Sequence, residues 1–356
     1  MSRSEIAPLT GLRFVAAFIV FWFHIQARWP VAGGPIGNAL DQGAVGMSLF
    51  FILSGYILSY QYVGRNMGGY TLNRVARIVP IYLLAAFVTV PFLLIQMSAE
   101  SWPMRKLVAL VLATLTGSQA WFPSLFSYWN HSASWSISAE FFFYALFPLL
   151  LPLVWKAKSA WTPVALAYGA SLIPLAIYIA FYGHAVPGLY SLPLYRLPEF
   201  CFGVAIYRVA SGWDGERSGL LTLSGLIPLA ALLLFNPRHG IHVTSNGLVV
   251  PALGLIIVGV SKGDSLVSRF LSWAPMQELG RASYCFYSFQ ALVLLSGWQF
   301  ANRPVDGLRL GFVCFFALLA ISLFAYRFIE KPVRRKLRAA HERRSGSQNQ
   351  GAAHTA

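Results

Sequence analysis

Arg13 and His24 are two titratable side chains within one apolar segment, Leu12–Ile25. They stand eleven positions apart, which is about three turns of an α-helix, so both project from nearly the same face, roughly 16 Å apart along the axis. Charged groups are costly inside a membrane, and they usually mark a functional site. Arg13 could instead snorkel to the interface, and His24 could belong to an interfacial belt. Their shared face favours a polar pathway that contains an imidazole.

A carboxylate that could cooperate with His24 lies in the segment Trp135-Ser-Ile-Ser-Ala-Glu140. Glu140 directly precedes an aromatic run at the outer end of a predicted span, where solubility does not explain an acid. An acid near a histidine orients the ring and stabilises the imidazolium, so the pair could serve as a general base. Alternatively, Glu140 stabilises the helix N-terminus and Ser136 caps it. The two roles are compatible.

Arg74 and Arg77 open a further apolar segment and share a helix face, because they are three positions apart. Two guanidinium groups on one face suit a phosphate-bearing ligand. From the spacing alone, a positive cluster that only sets the membrane orientation is the simpler interpretation.

Two further polar sites interrupt apolar segments. Ser54-Gly55 lies in Phe50-Phe-Ile-Leu-Ser-Gly-Tyr56, where close helix packing is the simpler interpretation and a ligand path the alternative. Arg196 and Glu199 open another segment, where they could pair with each other, or Arg196 could reach an acceptor.

The composition requires a lipid environment for the elements that carry these residues. Of the 356 residues, 57% are hydrophobic and 11% are charged, whereas soluble proteins carry about 25% charged residues. The mean hydropathy is +0.60, which excludes an intrinsically disordered chain. The net charge of +15 would suggest nucleic acid in a soluble protein. Here the basic residues lie mostly between apolar runs, which is typical of loops that face the cytoplasm and anionic lipid.

The apolar runs predict an all-α, polytopic membrane protein with about ten transmembrane helices. The run 107–118 is the shortest of eleven candidates, and the charge asymmetry between the loops degrades if it spans, so we predict that it forms a re-entrant or interfacial helix. With that run excluded, most loop arginines and lysines and the basic tail fall on one side, and both termini are predicted to be cytoplasmic. The ten predicted spans cover residues 12–25, 44–62, 78–97, 139–155, 162–182, 197–210, 219–235, 247–261, 283–300 and 308–328.

The remaining segments carry fewer signals. Residues 98–138 form the longest external loop, and their aromatic residues predict a cap over the outer surface, or an ordinary aromatic belt. Residues 336–356 are expected to be a disordered basic tail. The three cysteines lie in apolar runs and have no metal-binding spacing, so neither a disulfide framework nor a metal site is expected.

Taken together, these motifs resemble the membrane-bound acyltransferase family 3, over about residues 8–335. The Arg13–His24 pair, Phe50–Tyr56, Arg74–Pro80 and Trp135–Pro148 match its motifs in order. Later blocks also match: Arg196–Gly203, Leu279–Tyr284 and Glu330-Lys-Pro332. Each motif is weak alone, and seven in order are strong.

The resemblance implies transfer of an acyl group, usually acetyl, from cytoplasmic acyl-CoA to a carbohydrate hydroxyl, without a bound cofactor. His24 and Glu140 are then the expected catalytic residues, and Arg13, Arg74 and Arg77 the expected donor-binding residues. Ser54, Trp135, Ser136, Arg196, Glu199 and Gln290 are expected to bind substrate or to support the structure. Gln290 stands where the family often has histidine, which puts a second histidine's role in proton handling in doubt.

The expected acceptors are an exopolysaccharide, an O-antigen or a lipid-linked sugar, and the expected location is the bacterial inner membrane. A polytopic exporter or flippase of a lipid-linked sugar is the alternative, because buried Arg, His and Glu also suit a transport path. The absence of visible internal repeats fits a transporter poorly.

Overall fold

The computed structural model describes residues 4–122, 125, 131–182, 187–235, 246–300, 306–340 and 343. Every regular element in these ranges is helical, which confirms the predicted all-α class. The α-helices in chain order are α1 Ala7–Arg28, α2 Gly34–Asp41, α3 Val45–Tyr62, α4 Tyr70–Val88, α5 Val90–Ala99, α6 Met104–Thr116, α7 His131–Lys156, α8 Thr162–Tyr182, α9 Pro193–Ala210, α10 Ser218–Phe235, α11 Asn246–Lys262, α12 Leu266–Ser272, α13 Ala274–Ser288, α14 Gln290–Phe300 and α15 Gly307–Ala325. Two 3₁₀ turns, Gln119–Trp121 and Pro187–Ser191, precede α7 and α9, and a π-helical turn, Tyr326–Glu330, leads from α15 into a helix over 331–340, α16.

Six helices in the described ranges are long and apolar enough to cross a membrane, and eight spans result if each of two bent helix pairs counts as one. The bent pairs are α2 with α3, at 46°, and α11 with α12, at 75°. The protein is therefore a multi-pass helical membrane protein with six to eight candidate spans.

Two of the ten predicted runs fail the test for a span for identifiable reasons. Helix α9 is 18 residues long, but it carries Arg196, Glu199 and Arg208. The run 283–300 is divided between α13 and α14 at Phe289. The predicted run 78–97 is also divided, between α4 and α5 at Thr89, whose hydroxyl donates to the carbonyl of Ala85.

Helix α6 covers most of the 107–118 run with 13 residues, which is fewer than the ~20 that a spanning helix needs. The apolar side chains Leu93, Leu110 and Leu125 form a small cluster of their own there, apart from the main core. Of the predicted cap over 98–138, residues 123–124 and 126–130 lie outside the described residues. So do 341–342 and 344–356 of the predicted tail.

The core of the bundle is built around α1, α3 and α9. Helix α1 packs on α3 and α13, and α9 packs on α3, α7 and α8. Helices α3 and α9 approach closely because Gly55 lies on the backbone of Phe200, and Gly203 lies on the backbone of Ile52. A Cβ atom at either glycine would overlap these backbone atoms, so the glycine of the Ser54-Gly55 pair has the packing role that the sequence favoured.

Both ends of the described chain lie at the same end of the bundle, since Glu5 and Arg338 line one cavity. An even number of membrane crossings gives this arrangement.

Candidate active site

A narrow cavity, called the inner cavity below, lies between α1, α3, α4, α7 and α13. It leaves about 50 Å³ for water-sized molecules, which is room for only a few waters. Six of the residues singled out from the sequence line it: Arg13, Ser54, Arg74, Arg77, Ser136 and Glu140. The structure thus brings motifs from four helices to one site.

A second and wider cavity, the basic mouth, opens at the end of the bundle that holds both chain ends. Its volume is about 750 Å³. Arg74 and Arg77 line both cavities, so the basic mouth and the inner cavity adjoin at these two side chains. The other residues that line the mouth are Glu5, Gln61, Tyr62, Arg65, Asn66, Gly68, Asn73, Arg334 and Arg338.

The inner cavity follows α3 for about three turns. Its lining on that helix runs from Leu58, near the basic mouth, to Met47, and eleven residues of α-helix rise roughly 16 Å. Met47 follows Gly46, which packs against Val20 of α1. Gly46 also packs against Ala16, so the far end of the inner cavity lies one to two helical turns of α1 before His24.

Glu140 projects into the middle of the inner cavity from α7. Its Oε1 atom accepts a hydrogen bond of 3.0 Å from the hydroxyl of Ser54 on α3. One turn earlier on α7, Ser136 donates to the hydroxyl of Tyr287 on α13 at 2.7 Å. These two contacts join α7 to α3 and to α13, and the first places the carboxylate of Glu140 beside the hydroxyl of Ser54.

Arg74 is held at the junction of the two cavities. It is 8% exposed, it donates to Gln61 at 3.4 Å, and its guanidinium lies 5.9 Å from the centre of the Tyr144 ring. Its Nε atom has no hydrogen-bond partner within the described part of the chain. A buried cationic donor without a partner is costly, and an anionic ligand would satisfy it.

His24 lies on an interior face of α1. The helix is continuous from Ala7 to Arg28, so Arg13 and His24 do share a face. Ala17 and Val20, which lie between them on that face, are 0% and 2% exposed. His24 itself is half-buried, and its ring is 5.1 Å from that of Phe23. It is not among the residues that line the inner cavity.

Arg196 and Glu199 form a separate buried cluster on the other side of α3. Their charged groups are 2.9 Å apart, and the hydroxyl of Ser48 donates to Glu199 and accepts from Arg196, both at 3.0 Å. The guanidinium also lies 4.6 Å from the centre of the Tyr190 ring. Trp135 packs against the same tyrosine, with ring centres 5.2 Å apart. The two charges are therefore paired, as one of the sequence interpretations expected.

Gln290 is completely buried at the start of α14. Its amide nitrogen donates to the carbonyl of Ala17 at 3.2 Å, on the stretch of α1 between Arg13 and His24. Its Oε1 atom has no hydrogen-bond partner among the described residues. Gln290 thus fixes α14 to α1 through a hydrogen bond.

Several lining residues were not singled out from the sequence. Tyr144, Tyr284 and Tyr287 line the inner cavity, but tyrosines within apolar segments look like ordinary core or belt residues. Arg334 and Arg338 line the basic mouth, and their spacing of four residues, after the Glu330-Lys-Pro332 block, is the signal that could have found them. Within the described ranges, no group of three or more His, Cys, Asp and Glu side chains could hold a metal ion.

Comparison with known families gives a match to the model described as "Acyltransferase domain", over residues 6–327. No solved structure matches the chain.

Curated proteins with similar sequences are named as acyltransferases. Acyltransferase MdmB of Streptomyces mycarofaciens is 26% identical, over 91% of this chain and 88% of that protein. O-acetyltransferase OatA of Staphylococcus aureus is 24% identical, over 94% of this chain and 58% of that protein. Peptidoglycan O-acetyltransferase OatA of Listeria monocytogenes is 21% identical, over 94% and 56%. The chain therefore spans a little over half the length of the two OatA proteins.

Proposed function

Since the chain belongs to the acyltransferase family matched above and is a membrane O-acyltransferase, we propose a specific reaction for it. It transfers an acyl group, most simply acetyl, from acyl-CoA to a hydroxyl group of a carbohydrate. The acceptor is an exopolysaccharide, an O-antigen or a lipid-linked sugar. Two relatives are named O-acetyltransferases, and one of these names includes peptidoglycan, which supports acetyl as the group and a polysaccharide as the acceptor.

The observation that carries the proposal is the continuity of the basic mouth with the inner cavity. Arginines suit the phosphate groups of CoA, because a guanidinium can form two parallel hydrogen bonds to a phosphate. Beyond Arg74 and Arg77 the path narrows and leads to Glu140. A slender pantetheine arm that starts at phosphates in the mouth would carry the thioester along this path.

The proposed topology places the basic mouth in the cytoplasm of a bacterium, where acyl-CoA is made. Ten crossings of the inner membrane, with both termini inside, agree with the excess of arginine and lysine in alternate loops. The location of both chain ends at one end of the bundle agrees with an even number of crossings.

In the proposed reaction His24 is the general base, and the negative charge of Glu140, which Ser54 holds in the middle of the inner cavity, favours the charged imidazole electrostatically across that cavity. His24 takes the proton of the acceptor hydroxyl while the hydroxyl oxygen attacks the thioester carbonyl. The carbon–sulfur bond then breaks, and the CoA thiolate leaves and takes up the proton from His24. The position of His24 on α1, one to two turns beyond the far end of the inner cavity, agrees with an acceptor that arrives from the opposite side of the membrane.

A covalent acyl-His24 intermediate is the second form of the mechanism. It predicts that the protein releases CoA in a burst before any acceptor is added. Direct transfer predicts no release without acceptor, so rapid-quench measurement of free thiol distinguishes the two.

The exporter hypothesis is less well supported by the geometry. An inner cavity with about 50 Å³ for water-sized molecules is far smaller than the ~300–1,000 Å³ of usual small-molecule sites, and a lipid-linked sugar is bulky. The pantetheine arm with its acyl group is more slender than a lipid-linked sugar, so the inner cavity would have to widen less to admit it.

Mass spectrometry of surface glycans tests the proposed function in cells. Cells that express the protein should carry O-acetyl groups that are missing when the gene is deleted, and that return with the wild-type gene. Export of an unmodified lipid-linked sugar, with no change in acetylation, would favour the exporter.

A further inference from the structure

The basic mouth contains arginines from three distant parts of the chain, and two of them belong to the final helix. Arg65 follows α3, Arg74 and Arg77 lie on α4, and Arg334 and Arg338 lie on α16. Among the described residues that line the mouth, Glu5 is the one carboxylate that opposes these five cations. The donor interpretation of the sequence uses Arg13 of α1 and the pair on α4, so the arginines of α16 have no assigned role.

Contacts of Glu330 fix the orientation of α16 about its own axis at the mouth. Glu330 closes the π-helical turn and is 2% exposed. Its two carboxylate oxygens accept from the thiol of Cys285 at 3.3 Å and from Arg334 at 3.5 Å. Because Glu330, Arg334 and Arg338 are spaced by four residues, they form one stripe on the helix. Burial of Glu330 therefore turns both arginines toward the mouth.

The mouth is large enough for a nucleotide. Its volume of about 750 Å³ lies within the usual range for small-molecule sites. Tyr62 supplies an aromatic face, and Asn66 and Asn73 supply amide groups that can hydrogen-bond a base. The unpartnered Nε atom of Arg74, at the inner wall of the same mouth, is an independent sign that an anion belongs there.

We propose that Arg334 and Arg338 bind the phosphate groups at the nucleotide end of the acyl donor, so that α16 is part of the donor site. This inference rests on the proposed function. It assigns Arg74 and Arg77 to the phosphates nearest the pantetheine arm, because they adjoin the inner cavity, and the α16 arginines to the 3′-phosphate at the far end. The same guanidinium chemistry could bind the phosphate of an anionic lipid, and the test separates the two sources.

The test compares two double variants that remove the same charge from the same helix. Arg334→Ala with Arg338→Ala, called the stripe variant below, removes both arginines of the stripe. Arg335→Ala with Lys336→Ala is the matched control, because these two side chains do not line the mouth. Each purified protein is assayed with acetyl-CoA, with 3′-dephospho-acetyl-CoA and with S-acetylpantetheine, which has no nucleotide.

We expect the stripe variant to raise the KM for acetyl-CoA about tenfold or more, which corresponds to about 1.4 kcal/mol, because it removes two guanidinium groups that form charge-assisted hydrogen bonds to phosphate. Its KM for S-acetylpantetheine should equal that of the wild type, and the control variant should match the wild type with every donor. The inference would be overturned if the stripe variant changed the KM equally for all three donors or not at all, or if the control variant showed the same change in KM.

The lipid source is tested in vesicles of phosphatidylcholine with and without phosphatidylglycerol. If the arginines bind the nucleotide, the wild type and the stripe variant should differ in their KM for acetyl-CoA in both kinds of vesicle. A difference that requires phosphatidylglycerol would overturn the inference and assign the stripe to lipid.

Binding of CoA itself, measured by titration calorimetry, separates this inference from the proposed function. If the wild type transfers acetyl from acetyl-CoA and the stripe variant binds CoA normally, only the inference fails. If the wild type binds CoA but transfers nothing, the proposed function fails, and weaker CoA binding by the stripe variant still supports the inference. If the wild type does not bind CoA at all, both fail.

Discussion

The hydroxyl of Ser54 donates a hydrogen bond to the Oε1 atom of Glu140 at 3.0 Å. This contact links α3 to α7 in the wall of the inner cavity, roughly halfway along it. It gives the serine of the Ser54-Gly55 pair a different role from its neighbour. Gly55 allows α3 to pack closely on α9, whereas Ser54 faces the cavity and holds a carboxylate in place.

Ser54→Ala should lower kcat/KM for acetyl-CoA about tenfold, because a hydrogen bond to a charged group contributes roughly 1.5–3 kcal/mol. Steady-state rates of the purified protein measure the effect. Ser59→Ala is the control, since Ser59 is buried on the same helix and donates to the carbonyl of Gly55 within that helix. Wild-type kinetics for Ser54→Ala would remove Ser54 from the site.

Arg74→Ala with Arg77→Ala should chiefly raise the KM for the acyl donor, because both guanidinium groups lie at the junction of the two cavities. The loss of two phosphate contacts predicts an increase of about a hundredfold. Lys156→Ala with Lys158→Ala removes the same charge from a segment that lines neither cavity. An unchanged KM in the arginine variant would leave these arginines with a purely topogenic role.

Replacing both partners of the Arg196–Glu199 pair should be less harmful than replacing one. Loss of one partner leaves an uncompensated buried charge, which costs about 3–5 kcal/mol. Arg196→Met and Glu199→Met should each lower the midpoint of thermal unfolding in detergent, and the double variant should recover most of the loss. If the losses of the two single variants instead add, the pair is not the structural unit that the geometry indicates.

Gly203→Ala should destabilise the protein, because the new methyl group would overlap the backbone of Ile52 where α9 crosses α3. Gly169→Ala in α8 is the matched control, since a methyl group there would meet no atom within 4 Å beyond the backbone of its own helix. In a helix with free space, this change stabilises by roughly 0.5–1 kcal/mol. Thermal unfolding of the two variants should therefore move in opposite directions; a shift in the same direction would contradict close packing at Gly203.

The helical architecture could be predicted from the sequence because backbone groups in lipid must be satisfied within the segment. Apolar runs therefore became helices. The breaks were harder to predict, since the polar side chain of Thr89 and the boundary at Phe289 interrupt runs that look continuous by composition. By length and composition the structure has six to eight candidate spans instead of the ten predicted. One reason is that α9 carries charged residues, which only a packed interior accommodates.

The site could be predicted in part because one helix face can be derived from spacing. The shared face of Arg13 and His24 follows from eleven residues of continuous helix. The contribution of α16 to the basic mouth could not be derived this way, because Arg334 lies more than 250 residues from Arg74 in the sequence. Its position depends on the buried carboxylate of Glu330, which acts through tertiary contacts.

The role of His24 as general base is decided by acetyl transfer in variants that lack the imidazole. Purified His24→Ala and His24→Asn are incubated with isotope-labelled acetyl-CoA and the glycan acceptor, and labelled product is measured by mass spectrometry. Phe18→Leu, at a side chain 37% exposed on the same helix, is the control for folding and insertion. Neither His24 variant should transfer acetyl, whereas the control should transfer it at the wild-type rate. Transfer at the wild-type rate without His24 would contradict its role as general base.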